Sequence, residues 1–424
     1  MRVRKESLWK RLQWRLEWLT HSAVESLVAL LPGPWVFRLG ETLGDLAWRL
    51  MPRRRKIVTR NLRIAFAGEK TREELEPLVR ETFLRTGANL LAVAHTARLS
   101  PGRLSEAVEV KGFEHVAAAL AVGRGAVVLI PHMGNWEVLS RLRLVLPGKI
   151  PSGGFYRPLN NPLMDERVLK RREADGTRMF SKRDSFLQAT TFLRENGMLG
   201  ILADQRVGKQ GDLVSFFGRL TRSSPLPSLL ARRAKCPMLA LSMVTVRPGK
   251  WEVRFLPVEA PYTTENSMVA LERAMRESPS DAFWFHERWK MHLRWFYPVR
   301  RWFGDDTAKG QTPHRALLWL AGAPESWQPP EEWLHPDVVY EVTRYSRDPR
   351  PAWVPESGRI HRIEKNIGRE ALRKRLAEIE DDDDLPLDFI LIPDSQADLL
   401  EAARREAIPV IALRGSFQPK LPEM

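Results

Sequence analysis

Ala126-Val-Val-Leu-Ile130 is a run of five apolar residues with no polar residue among them, and Pro131 and the segment HMGNWE follow it directly. A strand with one wet face alternates apolar and polar side chains, so an unbroken run is a strand buried on both faces. That demands a sheet covered by helices on either side. The surrounding chain supplies them. VEVKGFEHVAAALAVGRG reads as strand, helix and glycine turn, and VLSRLRLVL continues as a helix after HMGNWE. DSFLQATTFLREN is a helix and MLGILAD (198–204) a strand, followed by a glycine-rich loop, the helix SSPLPSLLARRA and the strands PMLALSMVTV and WEVRFLPVE. A helix around 265–278 then leads into WFHERWK, and residues 72–98 form a long amphipathic helix with acids near its start. The expected fold class is α/β, a mixed central sheet flanked by helices.

The 424 residues are more than one core needs. Residues 51–300 hold the main unit, 301–316 read as a linker, and 317–424 as a second, smaller α/β domain. Its pieces are RALLWLA, DVVYEVTRY, GRIHRI, the helix NIGREALRKRLAEIE, DFILIPD, the helix ADLLEAARREA and PVIALRG. Strands ending in polar turns resemble half of a nucleotide- or sugar-binding sheet, but no glycine-rich phosphate loop accompanies them, so a structural or partner-binding appendage is the default. Asp394, at a strand end, is its one polar residue that stands out, and the DDDD run (381–384) reads as a solvated turn.

Residues 1–50 read as two helices broken at Pro32–Pro34. Their longest uncharged run, Ser26 to Phe37, has 12 residues, too short to cross a bilayer as an ordinary helix, and the pattern is not that of a secretory signal. Trp9, Trp14, Trp18, Trp35 and Trp48 lie among basic residues, as in an interfacial helix drawn to anionic lipid; two packed helices with core tryptophans are the alternative. The net charge of +15 fits nucleic acid, anionic lipid or acidic protein partners. Neither zinc-finger spacing nor the glycine–aromatic pattern of an RNA-binding sheet is present, which argues against nucleic acid. The single cysteine, Cys236, fits a reducing compartment and reads as an inert core thiol.

His132 follows the buried strand, at the end of a sheet where α/β proteins place ligands. Glu137 lies five residues on, across a turn containing Gly134. A carboxylate bonded to one imidazole nitrogen fixes the tautomer, leaving the other nitrogen to deprotonate a substrate hydroxyl. A structural histidine or a metal ligand is the alternative, but His115 with His132 has no third ligand, so no metal is expected. No G-x-S-x-G elbow occurs, which favours direct attack by an acceptor over a covalent intermediate. Backbone N–H groups of Gly134 and Asn135 are candidates to meet an oxyanion. Arg157, in a proline- and asparagine-rich loop, is placed to fork onto a phosphate or to pair with an acid. Asp204 ends a strand beside Gln205 and Arg206, facing a site or ordering the loop. Arg219 and Arg222 bracket Thr221 before Ser223 and Ser224 at a helix start, an anion site or simple capping. His286, in FHERWK, packs a polar end against the core or serves as a second histidine.

HMGNWE, with NLRIAF (61–66), YRPLNNPLMD (156–165), GILADQRVGKQG (200–211), FFGRLTRSSPLP (216–227) and FHERWK (285–290), resembles the bacterial lipid A biosynthesis acyltransferases, within the wider glycerolipid acyltransferase group. The resemblance covers about residues 10–300. It implies a glycerolipid-acyltransferase-like sandwich on the cytoplasmic face of the inner membrane, attached monotopically or peripherally. The implied reaction carries an acyl group from acyl carrier protein or coenzyme A to a hydroxyl of a lipid A precursor or related anionic lipid, without a bound cofactor. The family's histidine falls on His132, its acidic partner on Glu137, its aspartate–glutamine block on Asp204 and Gln205, and its arginine block on Arg157. Arg206, Arg219 and Thr221 complete the expected substrate-binding set. The chain departs from the family at VSFFG, where Ser215 replaces proline, and in the charge-broken N-terminal stretch. A thioesterase or other hydrolase with the same His–Glu pair, and a non-catalytic lipid-binding protein, are the competing readings.

Overall fold

The computed structural model describes residues 7–181, 186–208, 210–289, 314–323, 327–328, 338–392, 397–406 and 408–412. Lys209, Lys290, Asp394 and most of the stretch read as a linker lie outside them.

Four helices come first: α1 (Leu8–Val28), α2 (Gly33–Leu50), α3 (Pro52–Ala65) and α4 (Arg72–Thr96). The Ser7 hydroxyl caps α1, Pro34 sits in the first turn of α2, and a reciprocal Thr71–Glu74 capping box starts α4. α2 lies against α4 at backbone contact. A Cβ on Gly44 would stand 2.3 Å from the Phe83 carbonyl oxygen, and one on Gly87 equally close to that of Gly40. The outer sides of α1 and α2 carry a row of exposed large apolar residues, among them Trp9, Leu12, Leu16, Leu27, Trp35 and Leu43. No helix among the described residues is long and apolar enough to cross a membrane.

The main sheet follows. In chain order come α5 (Pro101–Ala107), β1 (Val108–Lys111), α6 (Phe113–Ala121), β2 (Ala126–Ile130), a 3₁₀ helix (Trp136–Leu144), β3 (Ser152–Tyr156), α7 (Pro162–Glu173) and β4 (Arg178–Ser181). Then come α8 (Phe186–Arg194), β5 (Met198–Leu202), the hairpin β6 (Asp212–Phe216) and β7 (Arg219–Ser223), α9 (Leu226–Ala234), β8 (Met238–Arg247), β9 (Lys250–Pro257) and α10 (Thr264–Arg276). Seven strands form one sheet in the order β1-β9-β8-β2-β5-β3-β4, antiparallel only between β8 and β9. The apolar run is β2, at its centre, with Val127 and Val128 packed into cores on opposite faces. The segment after HMGNWE is a 3₁₀ helix, with the Ser140 hydroxyl donating to the Glu137 carbonyl three residues back.

A second sheet is built from β10 (His314–Trp319), β11 (Val338–Tyr345), β12 (Ile360–Ile363), α11 (Arg369–Asp381), β13 (Phe389–Ile392), α12 (Ala397–Arg405) and β14 (Val410–Ala412). All its pairings are parallel, in the order β12-β11-β10-β13-β14. β10 begins inside the stretch read as linker. His314 and Arg315 look like loop residues, but His314 Nδ1 lies 3.2 Å from Asp388 and Arg315 forks onto Glu341, so both are buried.

The acidic run 381–384 is a turn with Asp381, Asp382 and Asp384 exposed, as expected, and its inner side also makes contact with the first unit. Arg63 of α3 bonds Asp381 and the carbonyls of Glu380, Asp383 and Asp384, and the Arg72 amide donates to the Asp384 carboxylate at 2.9 Å. Arg60 pairs with Glu380 and donates to the Leu387 carbonyl at 2.6 Å.

Candidate active site

Strand register builds the centre of the site. β2 and β5 are parallel neighbours, with Ile130 opposite Leu202. Two residues past each strand end stand His132 and Asp204, side by side. His132 Nδ1 lies 2.6 Å from Asp204 Oδ1, and the His132 amide donates to Asp204 Oδ2 at 3.0 Å. Asp204 is therefore the carboxylate that holds the imidazole. It is buried, and His132 itself is nearly so.

The turn after His132 is shaped by close approach. Gly134 has φ +56, and a Cβ there would stand 2.5 Å from the Met243 carbonyl oxygen. Met133 bridges to Ala282, the Phe283 amide donates to the His132 carbonyl at 2.8 Å, and the Gly134 amide donates to the Asp281 carbonyl at 2.9 Å. These bonds lay the segment 281–286 along the turn and bring in a second imidazole, His286. The side-chain nitrogen of Gln205 lies 3.1 Å from Nε2 of both His132 and His286. An amide nitrogen only donates, so both Nε2 atoms accept, and the His132 proton sits on Nδ1, toward Asp204.

Electrostatics follow from these contacts. Burial opposes a charge on His132, but the Asp204 carboxylate outweighs it, with Glu137 adding, and holds the His132 pKa above its ordinary value. Burial works the other way on Asp204, yet His132 and His286 hold its pKa below the usual range. Burial carries His286 down to about 4, so it is neutral near pH 7. Burial pushes the Cys236 thiol up to about 11, which makes it no nucleophile near neutrality.

Several expected assignments change. Glu137 does not bond His132; the 3₁₀ helix that starts beside it turns its carboxylate toward α7, where Arg172 forks onto it at 2.6 and 3.0 Å. The Gly134 amide is already donated to Asp281, which takes it out of the expected oxyanion role, and the buried Asn135 side chain donates to Thr96. Arg219 is buried, 2.7 Å from Asp388 and donating to the Pro386 carbonyl at 2.8 Å. Thr221 is locked to Arg288, and Arg288 also donates to Ser223 at 2.7 Å. The expected anion site is thus a packed structural network. Arg157 and Arg206 are exposed on the loops after β3 and β5.

His132, Asp204 and His286 place ligand atoms within 4.8 Å of one another. Hydrogen bonding accounts for that grouping: Asp204 takes Nδ1, and Gln205 stands between the two Nε2 atoms. His115 lies elsewhere, on α6 beside Glu114.

Next to the imidazole an apolar pocket opens between the sheet and the 3₁₀ helix. Trp136 packs edge-on to His132, with ring centres 5.3 Å apart, and lines the pocket. Glu137 and Arg172 form its polar part, and Ile130, Leu139, Phe155, Met179 and Leu202 its apolar walls. Gly154 and Gly200, directly paired across β3 and β5, lie on its sheet side. Sequence reading missed Arg172, His286's tie to Gln205, and this pocket; the glycines in otherwise apolar strands were the available signal.

Comparison with known proteins gives the chain a family. Residues 4–291 match the model of the family described as bacterial lipid A biosynthesis acyltransferase. The lipid A biosynthesis lauroyltransferase of Escherichia coli K12 is 35% identical over 150 residues, which are 35% of this chain and 48% of that protein. The palmitoleoyltransferase of the same organism is 24% identical over 269 residues, 61% of this chain and 86% of that protein. A phosphatidylinositol mannoside acyltransferase of Mycolicibacterium smegmatis is 30% identical over 134 residues, 31% of this chain and 43% of that protein. The match spans the helices, the main sheet and the histidine–aspartate centre and stops before the second sheet; through residue 291 the chain belongs to the bacterial lipid A biosynthesis acyltransferase family.

Proposed function

We propose that the protein moves a fatty acyl group from a thioester of acyl carrier protein or coenzyme A to a hydroxyl of a lipid A precursor or related anionic lipid. The observation that carries this reading is the His132–Asp204 pair beside an apolar pocket, with Nε2 of His132 accepting.

The acceptor hydroxyl takes the place of the Gln205 amide at Nε2 and gives up its proton there as its oxygen attacks the thioester carbonyl. Asp204 stays ionised and stabilises the imidazolium. Collapse of the tetrahedral intermediate breaks the C–S bond, and the thiolate leaves with the proton from Nε2. Gln205, exposed and next to the reacting atoms, supplies an N–H for the oxyanion. The hydrocarbon chain lies in the pocket, and the Glu137–Arg172 pair marks its polar end. The exposed apolar sides of α1 and α2 rest in the interfacial layer of the membrane, attaching the enzyme monotopically at the cytoplasmic surface, where carrier thioesters are found.

Purified protein given lauroyl-carrier thioester and a phosphorylated hydroxyacyl disaccharide lipid is expected to yield product heavier by one acyl group in mass spectrometry. His132→Ala should lower the rate about 10²–10⁴-fold. Release of free fatty acid at an undiminished rate without acceptor lipid would instead identify a hydrolase.

A further inference from the structure

Where α3 meets α11 and α12 the surface forms a cleft of about 890 Å³. α3 contributes Arg53 and Lys56, and α11 contributes Glu370 and Arg373. Arg404, Arg405 and Glu406 come from the end of α12, so five cations face two acids. Both acids are neutralised internally: Glu406 is buried between Lys56 and Arg373, and Arg373 also holds Glu370. Arg53 is 79% exposed, with Glu287 4.0 Å away, and Arg404 is exposed as well.

On its α3 side the cleft adjoins the segment 284–287, with Arg53 4.0 Å from Glu287. Arg54 donates to the Phe285 carbonyl at 3.3 Å, and Asn61 donates to the carbonyls of Trp284 and His286 at 2.7 Å each. α3 is thereby fastened, at its start and in its second half, to the segment that carries His286.

We propose that this cleft docks the acidic carrier protein that delivers the acyl thioester, with the second unit supplying half of the docking surface. The proposal rests on the acyltransferase reading above. A positive cleft attracts an acidic protein over several ångströms and orients it, an effect felt mainly in the association rate and its salt dependence. A water-borne protein fits better than a lipid headgroup. The exposed large apolar side chains crowd onto α1 and α2, whereas among the described residues the second unit exposes only Val339. The wall made by α11 and α12 therefore belongs in water, not in the interfacial layer.

The test compares two donors on the full chain: lauroyl acyl carrier protein and lauroyl N-acetylcysteamine thioester, which has the reacting bond without the acidic protein. In an Arg53→Glu/Arg404→Glu variant, KM for the carrier donor should rise about tenfold or more with kcat held and its salt dependence flattened. Kinetics with the small donor should not change. An equal rise for both donors, or no change with the carrier, would overturn the proposal. So would loss of binding to phosphatidylglycerol vesicles with carrier kinetics intact. If the wild-type protein transfers from neither donor, the reading of the reaction falls. Calorimetric binding of the carrier to wild type and variant then still decides the docking.

Discussion

Asp204 touches His132 twice, through the ring and through the backbone amide, and each contact has a consequence for proton transfer. The ring contact raises the His132 pKa against the opposing effect of burial. A base must be neutral to act, so turnover should fall as pH drops through that raised value, placing the acidic limb above 6.5, the ordinary value. Asp204→Asn removes the charge that favours imidazolium, so the limb should move to lower pH. The plateau should fall about 10²–10⁴-fold, because the tautomer and the stabilising charge are both lost. pH–rate profiles of the two proteins check this; a lowered plateau with an unmoved limb would leave Asp204 a purely structural role. His132 was legible in the sequence because a buried strand ended two residues before it. Asp204 was legible as a site residue for the same reason, but its bond to His132 depends on β2 and β5 being neighbours in register, which no local pattern reveals. Glu137 was misassigned as His132's partner because nearness in sequence stood in for nearness in space.

At the scale of elements, the paired glycines Gly154 and Gly200 leave one part of the pocket's sheet side without side chains. Glycine weakens a strand, and here it allows something to lie against the backbone. A Cβ on Gly200 would crowd the end of the Ile130 side chain at 2.8 Å, a group that can rotate away, and would meet the Gly153 carbonyl oxygen at an ordinary 3.6 Å. Gly200→Leu should therefore fold and shorten the pocket. Each methylene that no longer fits costs about 0.8 kcal/mol of binding, so donor preference should move toward shorter acyl chains. Competition among donors of mixed length reads this directly, and an unaltered product profile would place the hydrocarbon elsewhere. The strands β2, β5, β8 and β9 and the helices α2, α4 and α10 were legible from apolar periodicity. The β6–β7 hairpin was not: its arginines and threonine read as an anion-binding loop, because a buried arginine's partners come from distant chain.

Over the whole molecule, part of the +15 charge never faces a partner. Arg60, Arg63, Arg219 and Arg315 are buried, and each is satisfied by carbonyls and carboxylates in the stretch 379–388 or by Glu341. Composition alone assigns all such charge to the surface; only packing shows how much is internal. Arg60, Arg63 and Arg219 belong to the acyltransferase unit and their acceptors to the second unit, so the two are joined by a buried polar seam. Asp388 is its pivot, pairing with Arg219 across the seam while holding His314 and the Arg315 amide at the start of β10. Asp388→Ala would leave the Arg219 guanidinium buried without its carboxylate. Removing one partner of such a pair typically costs about 3–5 kcal/mol, and the loss should reach both units. Thermal unfolding should show one cooperative transition in the wild type, moved to lower temperature in the variant. Two transitions in the wild type, with only one displaced by Asp388→Ala, would mean that the seam does not couple the units.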